Sequence, residues 1–323
     1  MFYQFLEDLR KQGKSDLTIR QYRSSWDKFV RWLEAEGGYT PGMGGPSNRG
    51  KGSDTDTQFF KTSEADGSKA DPSLYAIHAT QLDIANFKRW ASQNFKPRTV
   101  SLNLIHLGVI FRWFVDRGII PDNPCEHVDN VTVQQEAPKW LTRNEQNALI
   151  RAVRKHGDNR ELTIITILLH TGLRVQELCD IRLKDLDITD RKGKVIVQSG
   201  KGGKYREVPL NLDARQAVQE YLAERRSDSQ YLFVTQRSPK MTTRAVQFIL
   251  QKYSRLTGIE VTPHVLRHTF CHELAVRKVP LDVIARLAGH SKKDGTPNLA
   301  MVTRYTLPNE DDLARAVEEL SWR

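Results

Sequence analysis

The chain has 323 residues, 39% apolar and 27% charged, enough for two ordinary hydrophobic cores. Its longest apolar run, "LTIITILL" (162–169), is too short to cross a bilayer, and "MFYQFLEDLRKQ" at the start turns charged too early for a signal peptide. Cys125, Cys179 and Cys271 are an odd number without framework spacing, which excludes a disulfide scaffold and fits a reduced, cytoplasmic protein.

The formal charge of +10 is uneven. Residues 1–130 hold 17 Lys and Arg against 16 Asp and Glu, and residues 131–323 hold 32 against 23. A basic half beside a neutral one suits a polyanionic partner, although solubility alone also explains many basic proteins.

The first third reads as helices. "LTIRQYRSSWDKFVRWLEAEG" puts Ile19, Tyr22, Trp26, Phe29, Val30 and Leu33 on one 3.6-period stripe, with Ser15 or Asp16 as cap and Gly37 as stop. A helical pair follows at about 80–93 and 97–117, with Pro97 in a first turn and Gly118 at the far end. In that pair Ile105, Val109, Phe111 and Phe114 are expected to face a core, and Arg98, Arg112 and Arg117 to stay wet. Between these helices, residues 37–72 hold 8 of the 20 glycines and few large apolar side chains. Such composition cannot offset its ordering entropy, so a mobile insert is expected.

A boundary falls in "VDNVTVQQEAPKW" (128–140), giving a first domain of 1–130, a linker of 131–139 and a second domain of 140–323. "LTRNEQNALI" opens that second domain with a capping box, Thr142 with Glu145. Apolar helices come next, then "KVIVQS" (194–199) and "KYREVPL" (204–210) as a β-hairpin around "GKGG". From about 213 the pattern is helical to the end, finishing in "NEDDLARAVEEL" (309–320), whose acidic start complements a helix dipole.

The densest chemistry is "TPHVLRHTF" (262–270), where His264, Arg267 and His268 fall within little more than one turn and His272 follows. The three histidines share a helical face, which raises a zinc site. "CHELAV" lacks the second histidine of H-E-x-x-H, and ligands spread over two turns cannot all reach one tetrahedral ion. Elsewhere Arg174 follows an apolar helix and a Thr-Gly break, with Glu177 one turn on. Lys201 sits at the hairpin tip, His290 follows Gly289, and Tyr305 precedes Pro308. Ordinary core or surface histidines are the plainer reading of the helix by itself, but two arginines, a lysine, two histidines and a tyrosine now follow in a fixed order over 132 positions.

Arg-x-x-Glu after T-G, then G-K-G-x-K, H-x-L-R-H, G-H and a late tyrosine together resemble the tyrosine recombinase, or phage-integrase-like, family. The resemblance is strong over 140–308 and weaker in the N-terminal helices, which resemble the helical core-binding domain of such enzymes. It implies a mainly α chain with a small β-hairpin or sheet: a helical core-binding (SAM-like) domain plus a mixed α/β catalytic domain. It also implies site-specific DNA recombination through a 3′-phosphotyrosyl intermediate, without ATP, metal or other cofactor. A mobile-element or phage integrase or resolvase is the expected role, with a type IB topoisomerase-like enzyme or a silent DNA-binding protein as alternatives.

The implied roles follow residue by residue. Arg174 and Arg267 grip the phosphate, Tyr305 attacks, His264 takes its proton, His290 steadies the phosphate, and Lys201 protonates the leaving 5′-oxygen. Glu177 supports Arg174, and His268 is expected to pack and bond backbone. From His290 to Tyr305 is 15 residues, longer than is common in the family, and "KKDGTPNL" (292–299) reads as an inserted turn. Double-stranded DNA is expected in a clamp of both domains, with Arg20, Arg23, Arg98, Lys204, Arg206, Lys240 and Arg244 on phosphates and Gln247 reading a base. A homo-oligomer, a tetramer on DNA, is implied, with the 309–320 helix docking in cis or on a neighbour. No membrane is involved, and the expected location is cytoplasmic, with the nucleoid.

Overall fold

The computed structural model describes residues 1–35, 76–133, 138–198, 205–292, 294–305 and 317–320. The expected insert at 37–72, Lys201, Lys204 and most of the 309–320 helix lie outside the described residues. The chain divides into two units, Met1–Gln135 and Glu136–Arg323.

The N-terminal unit is helical. Helices α1 (Phe2–Lys11), α2 (Asp16–Ala35), α3 (Gln81–Asn94) and α4 (Pro97–Asp116) surround an aromatic core. Trp26 stacks on Phe2 at 4.8 Å and meets Phe111 and Phe114, while Phe29 packs edge-on against Phe87. Offset and edge-to-face contacts of this kind add to what area burial supplies. The α2 stripe holds as expected, with Trp32 as an additional buried member. Along α4 the buried face is Val100, Leu104, Leu107, Ile110, Phe111 and Phe114. Ile105 and Val109, expected in the core, are 51% and 40% exposed. They fall off the 3.6-residue period that Leu107, Phe111 and Phe114 define. A buried polar cluster in this core centres on Ser25, whose hydroxyl lies 2.9 Å from Asn103 Oδ1 and 2.8 Å from His106 Nδ1.

In the C-terminal unit α5 (Arg143–His156) starts with the expected capping box, Thr142 and Glu145 bonding each other's backbone amides. Helix α6 (Asn159–Thr171), capped by Asp158, is buried almost continuously from Thr163 to Leu169. It forms the centre of the main core and packs against α8 (Leu212–Glu224) and α10 (Pro263–Val276). A short helix α7 (Val175–Asp180) follows α6, and α9 (Thr243–Thr257), α11 (Leu281–Ala288) and α12 (Leu299–Val302) complete the unit.

The sheet is antiparallel, in the order β1 (Leu186–Ile188), β2 (Gly193–Gln198) and β3 (Tyr205–Pro209). The hairpin was legible in sequence; β1, three residues long, was not. In the β2–β3 register Val195 pairs with Val208 and Val197 with Arg206. Arg206 therefore shares the inward face with three buried valines. Residues 225–242, expected to be helical, are irregular instead. The Arg225 guanidinium holds this loop by donating to the carbonyls of Ser227, Ser229, Tyr231 and Leu232. Among the described residues no helix is long and apolar enough to cross a membrane.

Candidate active site

The C-terminal ends of α6 and α11 come together beside the middle of α10. A helix C-terminus leaves carbonyls without intrahelical partners and carries partial negative charge, so it attracts a cation. Arg267, on α10 and only 4% exposed, supplies it. Its Nη1 donates to Gly172 O at 2.6 Å and its Nη2 to Ala288 O at 2.5 Å. Arg174, at the N-cap of α7, donates from Nη2 to the next carbonyl, Gly289 O, at 2.8 Å. Two guanidiniums thus sit on successive carbonyls. Burial and the nearby charge of Arg174 draw Arg267 down to about 10, so it stays charged at neutral pH. Each arginine uses two of its five donors in these bonds and those to Glu177, leaving others for an anion.

Two glycines make this convergence possible. Gly172 ends α6 at φ +61°, and a Cβ there would lie 2.3 Å from the Phe270 ring. Gly289 ends α11 at φ +66°, and a Cβ would lie 2.7 Å from the Arg206 guanidinium. Both are left-handed helix ends that only glycine adopts without strain.

Glu177 lies between two arginines. Its carboxylate accepts Arg174 Nη1 at 2.9 Å and Arg174 N at 2.7 Å, then Arg206 Nη1 and Nη2 at 2.9 and 2.8 Å. Burial pushes this carboxyl up, but the hydrogen bond and charge of Arg206, followed by those of Arg174, bring it down to about 2. Arg206 also donates from Nε to Leu287 O at 3.1 Å. Expected to lie on DNA, Arg206 is instead spent inside the protein, its side chain only 18% exposed. The period-two alternation in "YREVPL", with Val208 and Leu210 buried and Tyr205, Glu207 and Pro209 exposed, is the signal that could have shown it.

His290 follows directly, its amide bonding Ala285 O and its carbonyl accepting Asn298 N. The turn between Ser291 and Pro297 is closed by Lys292 and Thr296, which accounts for the extra residues before the tyrosine. Tyr305, 4% exposed, sits in an apolar cluster with Phe270, Cys271, Ile284, Ala285, Ala288 and Val302. Its ring lies parallel to His290, 6.4 Å between centroids. Its hydroxyl bonds His268 Nδ1 at 2.7 Å. Here the expectation for His268 is corrected: it engages the tyrosine, not backbone.

Burial and the charges of Arg267 and Arg174 hold His290 at about 3, and burial with His264 and Arg267 holds His268 at about 4. Both are neutral at pH 7, so His268 can accept from the phenol. Burial, followed by Cys271, pushes Tyr305 up to about 12.

The three α10 histidines have separate surroundings. His264 is exposed, with its ring 6.3 Å from that of His268, and His272 stacks on Trp140 at 4.0 Å. Among the described residues no group of three or more His, Cys, Asp or Glu is placed to hold a metal ion. Of the other expected DNA contacts, Lys240 pairs with Asp180 and lies 4.8 Å over Tyr231. Arg244 covers the exposed Phe248 ring at 4.7 Å, and Gln247 beside it is exposed. Arg20, Arg23 and Arg98 are exposed on the N-terminal unit.

The phage integrase family profile matches residues 139–311. Tyrosine recombinase XerA of Pyrococcus furiosus is 34% identical over 321 residues, 98% of this chain and 94% of that protein. TnP I resolvase of Bacillus thuringiensis is 24% identical over 98% of both chains. Among solved structures, the lambda integrase dimer bound to a COC′ core site aligns with a TM-score of 0.69 and 16% identity, over 96% of this chain and 95% of that one. XerH bound to a palindromic difH substrate, a post-cleavage complex, aligns at 0.64 and 20% identity over 77% and 74%. These structural likenesses show the two-domain recombinase fold.

Proposed function

The chain belongs to the phage integrase family of tyrosine recombinases, and from that footing we propose that it exchanges strands of double-stranded DNA at a defined site, for a mobile element or phage. The relatives are a recombinase and a resolvase, and the fold neighbours are recombinases bound to their DNA sites. The observation that carries the reading onto these residues is the anchoring of Arg174 and Arg267 on the carbonyls of Gly289 and Ala288, beside His290 and the Tyr305 ring.

The scissile phosphate takes the remaining arginine donors, which neutralise charge as the phosphorane forms. Tyr305 leaves its bond to His268, and its oxygen attacks phosphorus in line. The phenolic proton passes to His264, Lys201 protonates the departing 5′-oxygen, and a 3′-phosphotyrosyl bond holds the strand. Attack on that bond by a 5′-hydroxyl from another duplex returns the proton and restores the tyrosine. His290 braces the phosphate. Phosphoester energy is conserved, so the cycle consumes no ATP. The basic C-terminal unit is the catalytic domain, the helical N-terminal unit grips DNA, and four copies act together on paired sites in the cytoplasm, at the nucleoid.

A duplex selected by the protein from a random library, nicked beside the cut so that the short product diffuses away, tests this. The wild type forms a covalent adduct stable to denaturation. Tyr305→Phe forms none and binds the same duplex with unchanged affinity; an adduct in that variant overturns the assignment. Joining of two different duplexes separates recombination from topoisomerase-like relaxation, and the mass of the bound complex reads the tetramer.

A further inference from the structure

The site as described leaves a partly buried cation, Arg206, unused by the chemistry. Arg206 projects from β3 on the inward face, opposite Val197, and commits three donors. Two go to the two oxygens of Glu177, at 2.9 and 2.8 Å, and the third to Leu287 O at 3.1 Å. Its guanidinium is also pressed against the backbone at Gly289, where not even a Cβ would fit. The same Glu177 carboxylate holds Arg174 by side chain and backbone, and Gly289 O holds the other end of the Arg174 fork.

We propose that Arg206 is a positioning residue for Arg174: it locks the Glu177 carboxylate and the Leu287–Gly289 turn, the two supports from which the Arg174 guanidinium is aimed. This rests on the reading that Arg174 grips the scissile phosphate. Without Arg206 the carboxylate would be a partly buried anion with one cation where it had two, free to rotate about its own torsion. Arg174, 47% exposed along its side chain, would then lose its fixed direction. The fork is required, because a lysine ammonium cannot reach two carboxylate oxygens and a carbonyl at once with matching geometry. Arg206 therefore affects the rate of cleavage and not the strength with which DNA is held. A phosphate-contacting arginine would do the opposite.

The full-length protein and the selected, nicked duplex supply the test, with wild type, Arg206→Gln, Arg206→Lys, Glu177→Gln and the Arg206→Gln/Glu177→Gln pair. Measured are single-turnover adduct formation at saturating DNA, DNA affinity across a salt series, and thermal melting. Arg206→Gln is expected to slow adduct formation about tenfold to a hundredfold, the effect of a misplaced catalytic group, with affinity and salt slope as in the wild type. Arg206→Lys is expected to stay several-fold slow, and it decides the matter should the glutamine variant not fold. The double variant is expected to be no slower than the slower single, because both changes remove one support. A salt slope reduced by about one with normal saturated cleavage identifies a phosphate contact and overturns the proposal. Full rescue by lysine, or strictly multiplicative losses in the double variant, overturns it also. If the wild type itself forms no adduct, the recombinase reading fails first and takes this inference with it.

Discussion

His268 and His290 are imidazoles kept uncharged by their surroundings. Burial and neighbouring arginines hold them at about 4 and about 3, well under an ordinary histidine near 6.5. Unfolding returns both to the ordinary value, so below about pH 6.5 the unfolded chain binds protons that the folded chain refuses. Stability from this source is complete above pH 6.5 and falls as pH drops toward 4. The melting temperature is therefore expected to fall between pH 7 and pH 5, and His268→Gln is expected to fall by less over the same interval. Parallel curves for the two proteins would remove His268 as a contributor. The sequence places both histidines near Arg267 in order along the chain, but not the Tyr305 hydroxyl on His268. That contact joins residues 37 positions apart and depends on how the 291–305 segment folds back.

At the scale of elements, the site is built from helix ends. The carbonyls that hold Arg267 and Arg174 exist because α6 and α11 each stop at a left-handed glycine, and the Thr-Gly and Gly-His pairs announce those stops in the sequence. Gly172→Ala would impose a left-handed φ costing about 1–2 kcal/mol for a residue with a Cβ and drive a methyl into Phe270, while shifting the carbonyl that anchors Arg267. We expect a loss of about 2–4 kcal/mol in urea unfolding, in the range of overpacked core substitutions with added backbone strain, and cleavage reduced beyond what the lowered stability explains. Normal cleavage by the folded variant would show that the Gly172 carbonyl does not set the Arg267 position. Period-two alternation in the β3 stretch was as readable as the helix caps. An arginine in a basic hairpin nevertheless suggests a DNA contact, whereas its inward turn opposite Val197 depends on register. Ile105 and Val109 are the reverse case, apolar residues whose position on α4 turns them outward.

For the whole molecule, the excess positive charge lies in residues 131–323, and a DNA partner converts it into salt dependence. Each phosphate neutralised adds about 0.9 to the slope of log affinity against log salt. Arg244, exposed and resting on Phe248, is free to make such a contact, unlike Arg206. Arg244→Gln is expected to reduce the slope by about one and leave single-turnover cleavage at saturating DNA unchanged. An unaltered slope would take Arg244 off the DNA surface.

By itself the sequence determined the kind of molecule: helical periodicity, capping residues, the two glycine stops and the ordered Arg, Lys, His, Arg, His, Tyr set all act locally or along the chain order. Only the tertiary structure decided how these groups are used. Whether an arginine faces water or a carboxylate, and whether a phenol is free or held by an imidazole, depends on contacts between distant segments. Their energies come from burial and partner geometry, and neither quantity is carried by residue identity or spacing.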